Sequence, residues 1–103
     1  MKKDKYEVRL LRLAEEDLTE IILYIAQDNL SAAERLLTKI EGSLIRLESH
    51  PLLGRVPNDE ELMKSGYRFL VIENYLIFYT IEAKLIFINR IVHGARDYLR
   101  ILH

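Results

Sequence analysis

The feature that most constrains this fold is a change in hydrophobic period part-way along the chain. Apolar residues recur at helical spacing between about residues 14 and 47. Later, three runs rich in β-branched and aromatic residues follow one another, namely YRFLVIE, YLIFYTI and LIFINRIVH. Strands that cluster after helices, instead of alternating with them, are typical of an α+β fold with an antiparallel sheet. The sequence therefore predicts a helical layer packed on such a sheet.

A strand and a helix are predicted before the change of period. Alternation in YEVRLLRL, residues 6 to 13, places Tyr6, Val8 and Leu10 on one side of a strand. The spacing that follows predicts a helix from about residue 14 to residue 28, whose acidic first turn suits the positive end of the helix dipole. The apolar face of this helix comprises Leu18, Ile21, Ile22 and Ile25.

A second helix has both a start signal and a stop signal. Ser31 stands three residues before Glu34, which is the spacing of a capping box, and Pro51 cannot continue the helix because it lacks a backbone N–H. Only a few residues around Asn29 separate the two helices, so we expect an antiparallel helical hairpin. The apolar face of the second helix comprises Ala33, Leu36, Leu37, Ile40, Leu44 and Leu47.

The predicted order is β-α-α-β-β-β in a single domain, residues 1–103, with a short helix from about residue 95 to residue 102. One helical hairpin covers one face of a sheet, so the aliphatic strands predict a second face that is only partly covered. Such an exposed apolar surface predicts a protein partner that adds a strand or lays a helix in a groove.

Composition excludes several classes of protein. Half of the residues are hydrophobic and 30% are charged, which is a globular profile, and no apolar run approaches the ~20 residues of a membrane span. The net charge of -1 and pI of about 6.3 argue against a strongly basic nucleic-acid binder. The absence of cysteine and of an apolar run after MKKDKYEV is compatible with a cytoplasmic protein.

A polar cluster marks the end of the last strand, in the segment INRIVHGARDYLRILH. Its candidate site residues are Arg90, His93, Arg96, Asp97 and Tyr98. Such residues supply a base and cations for acid–base chemistry, or a docking surface. The alternative is structural: the histidine caps the strand end, Arg96 pairs with Asp97 or an acid of the first helix, and the tyrosine is half-buried. Composition alone favours this alternative, because charged residues at strand ends are usually solvated.

Metal and cofactor sites are not predicted. The three histidines are scattered, and their spacing implies no third ligand for the pair His93 and Asp97. The sequence contains no glycine-rich phosphate loop, no Gly-x-Ser-x-Gly elbow and no His-Glu-x-x-His motif.

Four segments in order resemble the RelE/ParE superfamily of bacterial type II toxin–antitoxin toxins, over nearly the whole chain. They are A-E-x-D-L-x-x-I-x-x-Y-I (14 to 25), P-L-L-G-R (51 to 55), Y-R-F-L-V-I-E-N-Y-L-I-F-Y (67 to 79) and R-I-V-H-G-A-R-D (90 to 97). The resemblance implies a β-α-α-β-β-β toxin fold, a co-encoded antitoxin that wraps and neutralises the toxin, and inhibition of growth when the toxin is released.

The resemblance implies different targets for the two branches of the superfamily. RelE-like members cut messenger RNA on the ribosome with lysines, arginines and a C-terminal tyrosine or histidine, and Arg68, Arg96 and Tyr98 match that pattern as catalytic candidates. Leu70 and Leu76, however, stand where further cations are expected. ParE-like members lack the catalytic set and are associated with poisoning DNA gyrase.

The H-G-A-R-D ending and the two leucines favour the ParE-like branch, because one oriented donor at a reacting phosphate is worth roughly 10²–10³ in rate. On this interpretation Arg90, His93, Arg96, Asp97 and Tyr98 form a surface that contacts a macromolecular target. The expected partners are a cognate antitoxin and DNA gyrase, with the ribosome as the alternative target. Neither a membrane nor a specific nucleic-acid sequence is expected to bind the isolated chain. A non-toxic binding remnant of the family is a third hypothesis.

Overall fold

The computed structural model describes residues 5–96 and 98–102 and contains a helical hairpin packed on a four-stranded sheet. The strands are β1 (Glu7–Leu10), β2 (Arg68–Ile72), β3 (Tyr75–Glu82) and β4 (Leu85–His93). The helices are α1 (Arg12–Asp28), α2 (Leu30–Ser49), α3 (Glu60–Lys64) and α4 (Tyr98–Leu102). The predicted α+β fold, its element order and its short C-terminal helix are confirmed, and the single turn α3 lies between α2 and β2.

The strand order β1-β4-β3-β2 corrects one part of the prediction. The pairs β2–β3 and β3–β4 are antiparallel, but β1 runs parallel to β4, so the sheet is mixed and not antiparallel throughout. A parallel pair needs a long connection, which the hairpin and the β2–β3–β4 meander together supply. Alternation of apolar residues reports which face a side chain occupies and says nothing about strand direction, so this pairing was not accessible from the pattern.

The hairpin turns at a single residue, Asn29, which serves both helices. Its backbone N–H donates to the Ile25 carbonyl at the end of α1, and its side-chain oxygen accepts from the Ala32 N–H at the start of α2. The predicted capping box is therefore wrong, because Ser31 already lies inside α2. A capping oxygen must come from the last non-helical residue, and Asn29 occupies that position.

The core lies between the hairpin and one face of the sheet. Ile40 and Leu47 of α2 are fully buried there, as are Tyr79 of β3 and Ile88 of β4. The apolar face predicted for α1 packs against this core while remaining partly accessible. The predicted face of α1 is thus confirmed as core-facing, and so are four positions of the α2 face, Leu36, Ile40, Leu44 and Leu47.

The opposite face of the sheet is covered only in part, as the sequence predicts. Phe78 is fully buried on this face by an aromatic cluster that includes Tyr67, Phe69 and Tyr98. Val71, whose neighbours in β2 face the hairpin, is in contrast 51% exposed. None of the described helices is long and apolar enough to cross a lipid bilayer.

Candidate functional site

The C-terminal half of β4 has an open edge where β1 ends, and α1 closes it with an ion pair. The Arg90 guanidinium donates from Nε and Nη2 to the two carboxylate oxygens of Asp17, at 2.8 and 3.0 Å. The Ile91 backbone N–H donates to the same carboxylate at 2.9 Å. The hydrogen bond to Asp17 raises the pKa of Arg90 above its ordinary value, so this guanidinium stays charged. Arg90, a predicted target-binding residue, is thereby held against α1.

A β-bulge explains how Arg90 reaches that edge. In the register with β3, Phe78 pairs with Arg90 and Tyr79 pairs with Ile88, which leaves Asn89 as an extra residue in β4. The Asn89 side chain donates to the Thr80 hydroxyl at 3.1 Å. The extra residue bends and twists the strand locally, as bulges do, and re-aims the side chains beyond it.

Two hydrogen bonds and one ring contact fix the turn that follows His93, the last residue of β4. The Gly94 N–H donates to the Asn74 carbonyl at 2.7 Å, and the Ala95 N–H donates to His93 Nδ1 at 3.0 Å. The imidazole also meets the Tyr75 ring edge-on, at 5.4 Å between centroids. His93 therefore closes the strand end, as the structural interpretation of the cluster expected, while its side chain remains solvent-exposed.

Arg96 and Tyr98 differ in how far they are engaged. The Arg96 side chain is exposed and forms no ion pair with a described residue, including the acids of α1. Tyr98 is half-buried, with its ring tilted on Phe78 at 5.2 Å between centroids. Asp97, the fifth member of the predicted cluster, lies outside the described residues.

Arg68, the strand cation of the RelE-like hypothesis, is bound to a loop. Its Nη1 donates to the carbonyl oxygens of Gly54 at 2.9 Å and Leu52 at 3.3 Å. Arg68 pairs across the sheet with Tyr79, whereas Tyr98 packs on the adjacent Phe78, whose side chain points to the opposite face. The structure therefore does not bring Arg68 and Tyr98 together.

The two other strand positions at which the RelE-like hypothesis expects cations are occupied by leucines. Leu70 is 8% exposed and belongs to the core under the hairpin, and Leu76 is half-buried on the other face. Within residues 5–96 and 98–102, no three histidine, aspartate or glutamate side chains are grouped closely enough to hold a metal ion.

Side chains of α1, the β3–β4 end and α4 line a groove of about 480 Å³, here called the terminal groove. Its apolar wall includes Ile21, Tyr75 and Ile101, and its polar rim includes Glu20 and Arg96. Sequence reasoning identified Arg96, but it missed the contribution of α1. Tyr24 could have indicated this contribution, because it is an aromatic residue of α1 outside the predicted apolar face. It lines the groove and is 73% exposed.

The Tyr79 hydroxyl fastens the loop that Arg68 also binds. It donates to the Pro51 carbonyl at 2.8 Å and accepts from the buried Gly54 N–H at 2.8 Å. Gly54 is required here because an added Cβ would lie 2.6 Å from the Tyr79 ring and hydroxyl. Burial raises the pKa of Tyr79 above its ordinary value of 10.0, so the hydroxyl keeps the proton that it donates.

Tyr79→Phe is expected to lower the free energy of unfolding by about 1–3 kcal/mol, because the Gly54 N–H loses its partner in a buried position. The measurement is urea unfolding, with Tyr24→Phe as the control because Tyr24 is exposed. The raised pKa means that the Tyr79 contribution is complete below about pH 10 and is lost as the pH rises through the folded-state value. The difference between parent and Tyr79→Phe should therefore shrink above about pH 10. Equal unfolding midpoints for the parent and Tyr79→Phe would contradict this account.

Comparison with known proteins gives one family match and two informative structural matches. The family described as the ParE toxin of type II toxin–antitoxin system, parDE, matches residues 8–98. The chromosomal ParDE toxin–antitoxin system from P. aeruginosa contains a chain with the same fold, with a TM-score of 0.70 and 20% identity, over 85% of this chain and 95% of that one. The toxin–antitoxin complex RelBE2 from Mycobacterium tuberculosis matches with a TM-score of 0.61 and 26% identity, over 86% of this chain and 98% of that one. No curated protein sequence matches.

Proposed function

This chain belongs to the ParE toxin family of type II toxin–antitoxin systems, and we propose that it arrests bacterial growth by engaging DNA gyrase without cutting RNA. It acts in the cytoplasm, where that target is found. A cognate antitoxin neutralises it, in keeping with the toxin–antitoxin complexes whose folds it shares.

The observation that supports a non-nucleolytic mechanism is the engagement of the strand arginines. Arg68 donates from Nη1 to two loop carbonyls and Arg90 donates to a carboxylate, so both guanidinium groups already have acceptors within the chain. RNA cleavage by the 2′-hydroxyl needs donors aimed at the charge that develops on the phosphate, each worth roughly 10²–10³ in rate. Leu70 lies in the core and Leu76 is half-buried, so two positions at which a RelE-like cation is expected carry none.

The surface proposed to contact the target is the rim of the terminal groove. His93 and Arg96 are exposed there, above an apolar wall that includes Ile21 and Ile101. An apolar centre with a polar rim is the usual composition of a protein–protein interface. Arg90 supports this surface from below by holding the end of β4, and Tyr98 supports it by holding α4 on the sheet.

The second candidate function is a RelE-like, ribosome-dependent endoribonuclease. The observation that favours it is the 26% identity to the RelBE2 complex, which is higher than the 20% identity to the ParDE system. In that case Arg96 and Tyr98 would be the catalytic residues, because Arg68 is engaged elsewhere.

Induction of this chain alone in a bacterium tests both candidates. We expect altered supercoiling and DNA damage, with no ribosome-dependent cleavage of messenger RNA. Arg96→Ala should weaken growth inhibition because it removes an exposed cation from the contact surface, and Arg35→Ala, an exposed arginine of α2, serves as the control. Tyr98→Phe removes only the hydroxyl and leaves the ring on Phe78, so it tests the hydroxyl without disturbing the packing of α4. Because we expect no cleavage by the parent, messenger RNA should be equally intact in this variant.

Other outcomes assign the chain differently. Messenger RNA cleavage by the parent that collapses in Arg96→Ala or Tyr98→Phe would establish the nuclease instead. A stable, folded chain that has no effect on growth would identify a non-toxic remnant of the family.

A further inference from the structure

The P-L-L-G-R segment forms a rigid loop that nevertheless displays aliphatic side chains. Leu52 is 64% exposed, and Leu53 and Val56 are each 46% exposed. Single exposed aliphatic residues are ordinary on a protein surface, but here three fall within five residues of one loop. The feature to be explained is why these three remain exposed on a loop so close to the core.

The backbone of this loop is held from three sides. Tyr79 and Arg68 bind its carbonyl and N–H groups, as described above. Arg55 exchanges two backbone hydrogen bonds with Phe69, its N–H donating at 2.8 Å and its carbonyl accepting at 2.9 Å. Arg55 thus extends the sheet by one residue along the free edge of β2. A backbone fixed in this way cannot turn the exposed side chains into the core, so the fold presents them to solvent.

The loop also carries one available cation. The Arg55 side chain is exposed and forms no ion pair with a described residue. Three aliphatic side chains beside one guanidinium suit a protein segment that brings apolar side chains and a carboxylate. They suit a nucleic acid poorly, because phosphate binding relies on several cations together.

We infer that Leu52, Leu53, Arg55 and Val56, here called the loop surface, form a docking site for an apolar, acid-bearing segment of the cognate antitoxin. The inference rests on the proposed function, in which this chain is a toxin that an antitoxin must neutralise. Because the loop is already ordered, binding pays little of the conformational entropy that a mobile loop would lose. The charge complementarity between Arg55 and a carboxylate favours an acidic segment over a second copy of this loop, which would place two guanidinium groups in one contact.

The test compares two leucines of equal exposure at opposite ends of α2. Leu52 follows α2 and Leu30 begins it, with exposures of 64% and 62%, and a 20-residue helix separates them by about 30 Å. The affinity of purified Leu52→Asp and Leu30→Asp is measured by calorimetry against the protein encoded beside this chain. We expect Leu52→Asp to weaken Kd about 30-fold or more, which is the range of an interface hot spot, and Leu30→Asp to leave it nearly unchanged. Arg55→Glu should also weaken Kd, and added salt should weaken binding by the parent more than by Arg55→Glu.

Several outcomes would remove the loop surface from the antitoxin interface. A parent-like Kd for Leu52→Asp, or equal losses for Leu52→Asp and Leu30→Asp, overturns the inference. If the parent chain dimerises by itself and the Leu52→Asp variant is monomeric, the loop surface contacts a second copy of this chain. Loss of growth inhibition by Leu52→Asp with an unchanged Kd assigns it to the growth target. Because Kd is measured on purified proteins, it does not depend on growth inhibition. A parent that fails to inhibit growth would therefore contradict the proposed function without contradicting the binding result.

Discussion

Asp17→Ala is expected to lower the free energy of unfolding by about 3 kcal/mol, because it leaves both a guanidinium and a backbone N–H without their acceptor. The Asp17 and Arg90 side chains are only 12% and 24% exposed, so water replaces the lost carboxylate poorly. The Ile91 N–H, which donates to the same carboxylate, loses its partner in the same step. The measurement is the change in urea midpoint at constant slope.

The matched control for Asp17→Ala is Glu16→Ala, one residue earlier on α1. Glu16 pairs with Arg12 at 3.6 Å, but the two side chains are 59% and 85% exposed, so this pair is worth little. Asp17→Asn keeps a side-chain oxygen that can accept one bond, and it should fall between the parent and Asp17→Ala. If Asp17→Ala costs no more than Glu16→Ala, the pair does not hold the end of β4.

Ile40→Ala is expected to cost about 2–5 kcal/mol, because Ile40 is fully buried between α2 and the sheet and its removal leaves a cavity. Ile45 supplies the control on the same helix, since it is 64% exposed and Ile45→Ala empties no packed space. Alanine also has the higher helix propensity, so Ile45→Ala should change stability by less than about 0.5 kcal/mol. Equal losses in the two variants, measured by urea unfolding, would show that Ile40 does not pack in the core.

The polar cluster at the end of β4 could be found from the sequence, but the separate roles of its residues could not. Arg90, His93, Arg96 and Tyr98 are close in the chain, so a short turn keeps all four near one end of the sheet. The partner of Arg90 is Asp17, 73 residues earlier, and no local pattern connects those two positions. The groove likewise needs α1, which reaches it through packing and not through the chain.

Helix faces and strands could be predicted because their signals are local. Period and composition over ten to twenty residues decide whether a segment is helical and which side is apolar, as Ile40 shows. Family membership could also be anticipated, because the four matching segments keep their order and spacing along the chain.

Tertiary structure alone decided the pairing and the use of individual polar groups. The direction of β1 relative to β4, the extra residue Asn89 and the binding of Arg68 to the Gly54 carbonyl depend on which segments meet in space. An arginine in a sequence has the same charge whether it faces a phosphate, a carboxylate or a loop carbonyl. Its role is set by the nearest acceptor after folding, because hydrogen bonds and desolvation act over a few ångströms, and residues far apart in the chain determine what lies within that distance.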